Sequence, residues 1–303
     1  MFISDMHCDT LTDVDSERGL INAYNTSKRY PFLQFFAHFS KKGVEEAPSR
    51  RKRLMNAFNV FIEETERLGL MRISSAKDLF DAEEQGRSAA MFTVEGGGGL
   101  FADSPELLTL ANAGLSVLGM AWDKNELSAS AYEDVDEGLT DEGRKMALRC
   151  GELGIILDVS HLSDRAFWEL FELSPMPHIA THSDFRDLCG AKRNLTRDMA
   201  LKIASRGGVI GVNLYPPFLR DGEDVDINDI IRHVDYGLEL VGEDCMAFGL
   251  DIDGTDGKYP LGISLSDSIH DQVTDALLAR YSSTVVEKIA GKNVIDFLKG
   301  NLT

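Results

Sequence analysis

Several apolar runs in this sequence end in residue types that bind divalent cations or carry protons. His7-Cys8-Asp9 closes the run Phe2–Asp9, Asp158-Val159-Ser160-His161 closes Gly154–His161, and Thr181-His182-Ser183 closes Pro177–Ser183. Glu95 closes Ala89–Glu95 and precedes four glycines, Gly96 to Gly99, while Asp251-Ile252-Asp253 closes Met246–Asp253. Imidazoles and carboxylates are the ligand stock of zinc and of harder divalent ions, and the same groups act as general acids and bases. If the first run is a strand, His7 and Asp9 at i and i+2 face the same way and can hold one ion together. Taken singly, each feature has an ordinary explanation. His161 and His182 could be core imidazoles bonded to Ser160 and Ser183, Glu95 a loop charge or a helix-cap acceptor, and the glycines a turn. GGGG does not match a phosphate-binding fingerprint. The coincidence carries the weight, since three of the seven histidines end apolar runs beside a polar residue. The other four form no cluster. His38 ends the run Leu33–Ser40 beside Phe35, Phe36 and Phe39, which suggests packing; His178 starts a run, at the end away from the site; His233 and His270 fall on helical patterns, where solvated or supporting roles are expected.

The elements that must position these residues alternate regularly. Leu115–Trp122 and Gly207–Leu214 complete a set of eight short, apolar or β-branched runs that lack the polar alternation of half-exposed strands, as buried parallel strands do. Amphipathic helical patterns over Ser49–Leu70, Leu139–Leu153, Ser163–Leu173, Thr196–Ser205, Ile227–Val241 and Ser266–Tyr281 lie between or after them, with Thr140, Ser163 and Thr196 as capping residues. Eightfold βα alternation predicts an α/β fold, a (β/α)₈ TIM barrel, whose strand C-termini share the face where catalytic groups gather. A doubly wound open sheet is the rival, but it usually has fewer strands and a glycine-rich turn after the first, where this chain has His-Cys-Asp. Asp221–Asp226 and Thr255–Ser266 read as loops. No linker or repeat divides residues 1–303, so one barrel domain is expected, with C-terminal helices packed on it.

Composition narrows the partners. The 303 residues carry 31 basic and 50 acidic side chains, a net charge of −19, which disfavours nucleic acid and anionic membrane as partners. No apolar run approaches a bilayer span, and MFISDMHCDT lacks the basic and apolar segments of a secretory signal. Cys8, Cys150, Cys189 and Cys245 form no CxxC pair and read as reduced thiols. A cytoplasmic location is expected.

Together and in order, these segments resemble the renal dipeptidase (membrane dipeptidase) family of the amidohydrolase superfamily. DMHCDT at 5–10 is similar to the family's D-G-H-x-D-L opening, and TVEGG at 93–97 to its E-G segment. The stretch 138–161 ending in D-V-S-H, THSDFRDLCGAKRN at 181–194, GGVIGVN at 207–213, and 233–254 ending in GLDIDG follow the family's order. The resemblance implies a metal-dependent hydrolase with two divalent ions, most often zinc: His7 and Asp9 on one, His161 and His182 on the other, Glu95 bridging. Two Lewis acids on a shared water would lower its pKa toward neutrality. Asp251 would exchange the proton between that water and the leaving amine, and Arg193, with Asn194 beside it, would bind the substrate. A guanidinium fork matches a carboxylate bidentately. A homodimer is the family's common assembly. The implied substrate is a small free dipeptide, in some relatives with a D-residue at its C-terminal side.

One position departs from the family pattern. Founding members place a histidine after the fourth strand, thought to contact the substrate carbonyl; here Trp122 falls in that place. An indole N–H donates one hydrogen bond but cannot become a cation. Either Trp122 is an apolar wall of the substrate pocket or another group stabilises the oxyanion, a contribution typically worth about 10²–10³ in rate. Three readings follow: a dipeptidase; a hydrolase of another small amide such as an N-acyl amino acid, which Trp122 favours; and a metal-binding barrel without catalysis.

Overall fold

The computed structural model describes residues 1–12, 19–39 and 46–302. Ser40, the expected end of the second strand, lies outside the described residues. The strands are β1 (Ile3–Asp5), β2 (Phe32–Phe39), β3 (Met71–Arg72), β4 (Ala89–Glu95), β5 (Val117–Gly119), β6 (Ile156–Asp158), β7 (Ile210–Val212) and β8 (Met246–Phe248). Every strand pair is parallel, in the order β6-β5-β4-β2-β1-β8-β7, with the short β3 added against the start of β4.

The sixth expected strand, Pro177–Ser183, forms no ladder of its own. It nevertheless lies between β6 and β7: Ile179 bridges Asp158 and Ala180 bridges Ile210. Val159 N–H donates to the Ile179 carbonyl at 2.8 Å and Gly211 N–H to that of Ala180 at 2.8 Å, so this segment closes the ring. It is short for a local reason. Pro177 has no N–H to give, and the N–H groups of Thr181 and His182 donate to Asp158 Oδ1 (2.9 Å) and Ser160 Oγ (3.2 Å) instead of to a neighbouring strand.

Helices surround the sheet: α1 (Ala47–Leu68), α2 (Ala76–Gln85), α3 (Pro105–Asn112), α4 (Asp141–Leu153), α5 (Asp164–Leu173), α6 (Arg197–Ser205), α7 (Pro216–Leu219), α8 (Ile227–Val241), α9 (Ile269–Leu278), α10 (Ser283–Glu287) and α11 (Asn293–Asn301). The sequence pattern did not single out α2, α3, α7, α10 or α11. Thr140, Ser163, Thr196 and Ser268 cap their helices by accepting from backbone N–H groups, each worth typically ~1 kcal/mol. Apart from the short β3, the strands are buried on both faces, as their uninterrupted apolar character required. A π-helical turn at Lys288–Lys292 between α10 and α11 packs under β1 and β8. A Cβ on Gly291 would stand 1.8 Å from the Phe2 carbonyl oxygen, so only glycine allows that approach.

Candidate metal centre and substrate cleft

The strand ends carry the titratable residues to one end of the ring. Beyond β1 the chain stays extended between its neighbours: Asp9 N–H donates to the Ile252 carbonyl at 2.8 Å, and Ala37 N–H to that of Cys8 at 2.9 Å. His7 and Asp9 therefore emerge on one side, beside Glu95 at the end of β4. His161 and Asp251 sit in left-handed backbone, at φ 68° and 56°. Non-glycine residues adopt this conformation at a cost of order 1–3 kcal/mol, and here the strained backbone turns both side chains toward the common point.

The six residues converge. His7 Nε2 lies 3.5 Å from Asp9 Oδ1, 3.6 Å from Glu95 Oε2 and 3.9 Å from Asp251 Oδ1. On the other side of Glu95, Oε1 lies 2.6 Å from His161 Nε2 and 3.2 Å from His182 Nε2. The two oxygens of one carboxylate thus face two separate groups of ligand atoms. His7 and His182 stack with ring centroids 3.7 Å apart, and Nε2 of His161 and of His182 stand 2.9 Å from each other. All six side chains are buried.

This donor set fits divalent metal. His7 Nε2, Asp9 Oδ1 and both Glu95 oxygens are buried without a hydrogen bond, although buried polar atoms are almost always paired. Four such atoms around one point are costly unless a cation satisfies them. Within 4.8 Å the ligand atoms form the triplets His7, Asp9, Glu95 and Glu95, His161, His182, and a third of His7, His182, Asp251. Electrostatics express the same conflict. Burial opposes the charge on His7, but Glu95, Asp9 and Asp251 outweigh it and lift its pKa to about 10. Burial also holds the Glu95 carboxyl well above, and His161 and His182 well below, their ordinary ranges. Asp251 is raised to about 7, chiefly by burial and then by the Asp9 charge, against the pull of His7 and the Asn213 hydrogen bond.

Supporting residues outside the expected set fix these orientations. Thr181 Oγ1 donates to Asp158 Oδ2 at 2.5 Å, so its remaining capacity accepts from His182 Nδ1 at 2.7 Å. That leaves a lone pair on His182 Nε2, facing Glu95. Asn213 Nδ2 donates to Asp251 Oδ2 at 2.9 Å. Asp5, fully buried, accepts from the His7 N–H (3.2 Å), the Leu250 N–H (2.9 Å) and His270 Nε2 (2.9 Å), tying β1 to the segment before Asp251. His270 is thus in a supporting role. His233, expected to be solvated or supporting, is instead fully buried in the core, where Nδ1 accepts from the Phe185 N–H and Nε2 donates to the Leu219 carbonyl. The D-x-S-H spacing and the asparagine of GGVIGVN were the available signals for Asp158 and Asn213.

The cleft above the cluster encloses about 250 Å³. Phe39 and Trp122 stack at 5.2 Å on one wall, with Tyr132 5.9 Å from Trp122 and 5.6 Å from His161. Tyr215 and Phe218 pack edge to face on another, and Asp253 and Asp256 line the mouth. Burial is the main force that raises the Tyr132 phenol to about 12, so it stays protonated at neutral pH. Arg193 is 5% exposed; Nη1 donates to Ser183 Oγ (2.7 Å) and Nη2 to the His182 carbonyl (2.8 Å), while Nε is buried without a partner. Asn194 turns away from the cleft. Its amide donates to the carbonyls of Cys189 and Phe218, bracing the Arg193 loop. His38 and His178 stand apart from the cluster, and burial lowers both to about 4.

Comparison with known proteins bears on the fold and the family. A Klebsiella pneumoniae protein described as uncharacterised, in the pqqA 5′ region, is 32% identical over 242 residues, covering 74% of this chain and 86% of its own length. The crystal structure of a metallopeptidase called dipeptidase AC superposes with a TM-score of 0.85 at 23% identity, covering 100% of this chain and 99% of that one. A metallopeptidase from Rhodobacter sphaeroides, solved with a phosphinate mimic of L-Ala-D-Ala, superposes at 0.81 with 22% identity, over 100% and 99% of the two chains. At these identities the two structures bear on the fold, and they share its parallel barrel. Among the described residues no helix is long and apolar enough to cross a membrane. The model of the membrane dipeptidase family, Peptidase family M19, matches residues 6–300, and the chain belongs to that family.

Proposed function

We propose that this protein is a dipeptidase that hydrolyses small free dipeptides with two divalent ions, of which zinc suits the His/Asp/Glu ligands. The observation that carries this reading is the division of Glu95, with Oε2 toward His7 and Oε1 toward His161 and His182, amid buried atoms that lack hydrogen bonds. His7 and Asp9 would hold one ion, His161 and His182 the other, with Glu95 shared. Bound there, divalent ions supply Lewis acidity that acidifies water and polarises a peptide carbonyl.

The rest falls to the chain's own groups. Arg193 retains Nε, and hydrogens on both terminal nitrogens, to receive the free carboxylate of a dipeptide. Asn213 holds Asp251 Oδ2, which leaves Oδ1 toward the cluster. Asp251 accepts a proton as water oxygen bonds to the peptide carbon, then returns it to the nitrogen as the C–N bond breaks, releasing two amino acids. A carboxylate anchored through one oxygen by Asn213, with the other turned to the cluster, suits a group that must both take and give a proton there. Hydrolysis of an N-acyl amino acid is the second reading, favoured by the apolar Phe39–Trp122 wall.

A turnover screen of zinc-reconstituted protein separates them. The panel holds L,L-, L,D- and D,L-dipeptides and N-acetyl amino acids. Cleavage of free dipeptides alone supports the dipeptidase; cleavage of the N-acetyl compounds alone replaces it with the second reading. L,D-substrates belong in the panel because the Rhodobacter protein was captured with an L-Ala-D-Ala mimic.

A further inference from the structure

Trp122 occupies the wall where the family pattern has a histidine, and its surroundings define what it can do. Its ring stacks on Phe39 at 5.2 Å with the planes 22° apart, the packing of an apolar wall. Tyr132 continues that wall toward the metal ligands, its ring 5.6 Å from His161. Of Phe39, Trp122 and Tyr132, which all line the cleft, Tyr132 alone carries a hydroxyl. Tyr132 lines the same cleft as Glu95, His161, His182 and Asp251, so its hydroxyl lies on the wall that borders the reacting centre.

We infer that Tyr132 is a catalytic residue whose hydroxyl donates a hydrogen bond to the substrate's carbonyl oxygen as that oxygen gains negative charge, the role left open by Trp122. This rests on the dipeptidase reading. The donor is neutral and keeps its proton, so no electron pair leaves the chain; charge on the oxygen is shared and then withdrawn as the carbonyl reforms and the amine departs. As a whole residue Tyr132 is 45% exposed, and its phenol end is the more enclosed part, so it sits on the rim, where a phenylalanine fits without disturbing the core.

The test uses the metal-loaded full chain as wild type, Y132F and W122F, with metal content and melting temperature measured for each. Y132F is expected to lose about 10²–10³ in kcat with KM changed less than about threefold, the pattern of an interaction made only in the transition state. Its affinity for a phosphinate dipeptide mimic, whose tetrahedral oxygen stands in for the oxyanion, is expected to fall with kcat, while affinity for the product amino acids holds. W122F is expected to change KM more than kcat. Wild-type kcat and phosphinate affinity in Y132F, or the kcat loss appearing in W122F instead, would overturn the assignment while wild-type dipeptide turnover stood. A wild type with two bound ions and no dipeptide turnover would instead sink the dipeptidase reading, whatever Y132F did to phosphinate binding.

Discussion

Replacing Asp251 by asparagine isolates proton transfer from metal binding and from folding. The side chains have the same shape, and the Asn213 amide that donates to Asp251 Oδ2 at 2.9 Å can donate equally to an amide oxygen. No backbone bond depends on the carboxylate, and His7 keeps Asp9 and Glu95 as ligand neighbours at 3.5 and 3.6 Å. Asparagine cannot accept and return a proton. General acid–base catalysis by a positioned group contributes typically 10²–10⁴-fold, or about 3–5 kcal/mol of barrier. The expectation for D251N is a fall in kcat of that size, with metal content by plasma emission and the melting temperature both near wild type. The asparagine also removes a negative charge beside the ligand cluster, so any change in metal affinity should be a modest loss. Turnover within about threefold of wild type, at full metal loading, refutes the role given to Asp251; turnover lost together with the metal refutes the separation of the two functions.

Other expectations rest on different parts of the molecule. Chelation should abolish turnover and lower the melting temperature while far-ultraviolet circular dichroism stays near that of the loaded protein, because the apolar ring is independent of the ions; a chelated protein with full activity would remove metal from the reaction. D158N should weaken metal binding by roughly 10–100-fold, because Asp158 orients the Thr181 hydroxyl that fixes the His182 tautomer, and competition with a fluorescent chelator reads this directly. Burial holds His233 at about 4 against an ordinary 6.5. Its proton is bound more readily by the unfolded chain, so its stabilisation is complete above pH 6.5 and is lost as pH falls toward 4. At about pH 5 the loss is ~2 kcal/mol. Urea midpoints of wild type and H233Q should therefore diverge between pH 7.5 and 5, the variant losing less; parallel losses would count against His233.

Much of the architecture was readable because buried parallel strands leave an uninterrupted apolar signature and helix caps a polar one. The predicted range of α8 matches the observed Ile227–Val241, and Thr140, Ser163 and Thr196 cap the helices expected of them. The residues His7, Asp9, Glu95, His161, His182 and Asp251 stood out because titratable groups at apolar run ends are conspicuous, and the structure gathers all six. What escaped notice depended on contacts between distant segments. The Asp5–His270 pair spans 265 residues, and Asn213 meets Asp251 across 38. Asn194, expected with Arg193 to bind substrate, donates its amide to the carbonyls of Cys189 and Phe218, contacts that sequence order alone does not show. Tyr132 lies in a loop of small and acidic residues, 129–137, where no periodicity marks an inward face. The sixth strand shrank because side chains, invisible to a backbone pattern, captured the N–H groups of Thr181 and His182.

That capture gives the ring a seam. Elsewhere neighbouring strands are stitched by main chain to main chain, but between β6 and β7 the main-chain bonds of Ile179, Ala180 and Ser183 are supplemented by the side chains of Asp158, Ser160 and Thr181, next to the candidate metal ligands His161 and His182. The joint and the candidate site therefore share residues, and an ion held by both histidines would brace the strand ends that carry them. The amides of Thr181 and His182 should thus report on metal in hydrogen exchange more sharply than amides of β2 and β4, which share a seven-residue ladder far from any join.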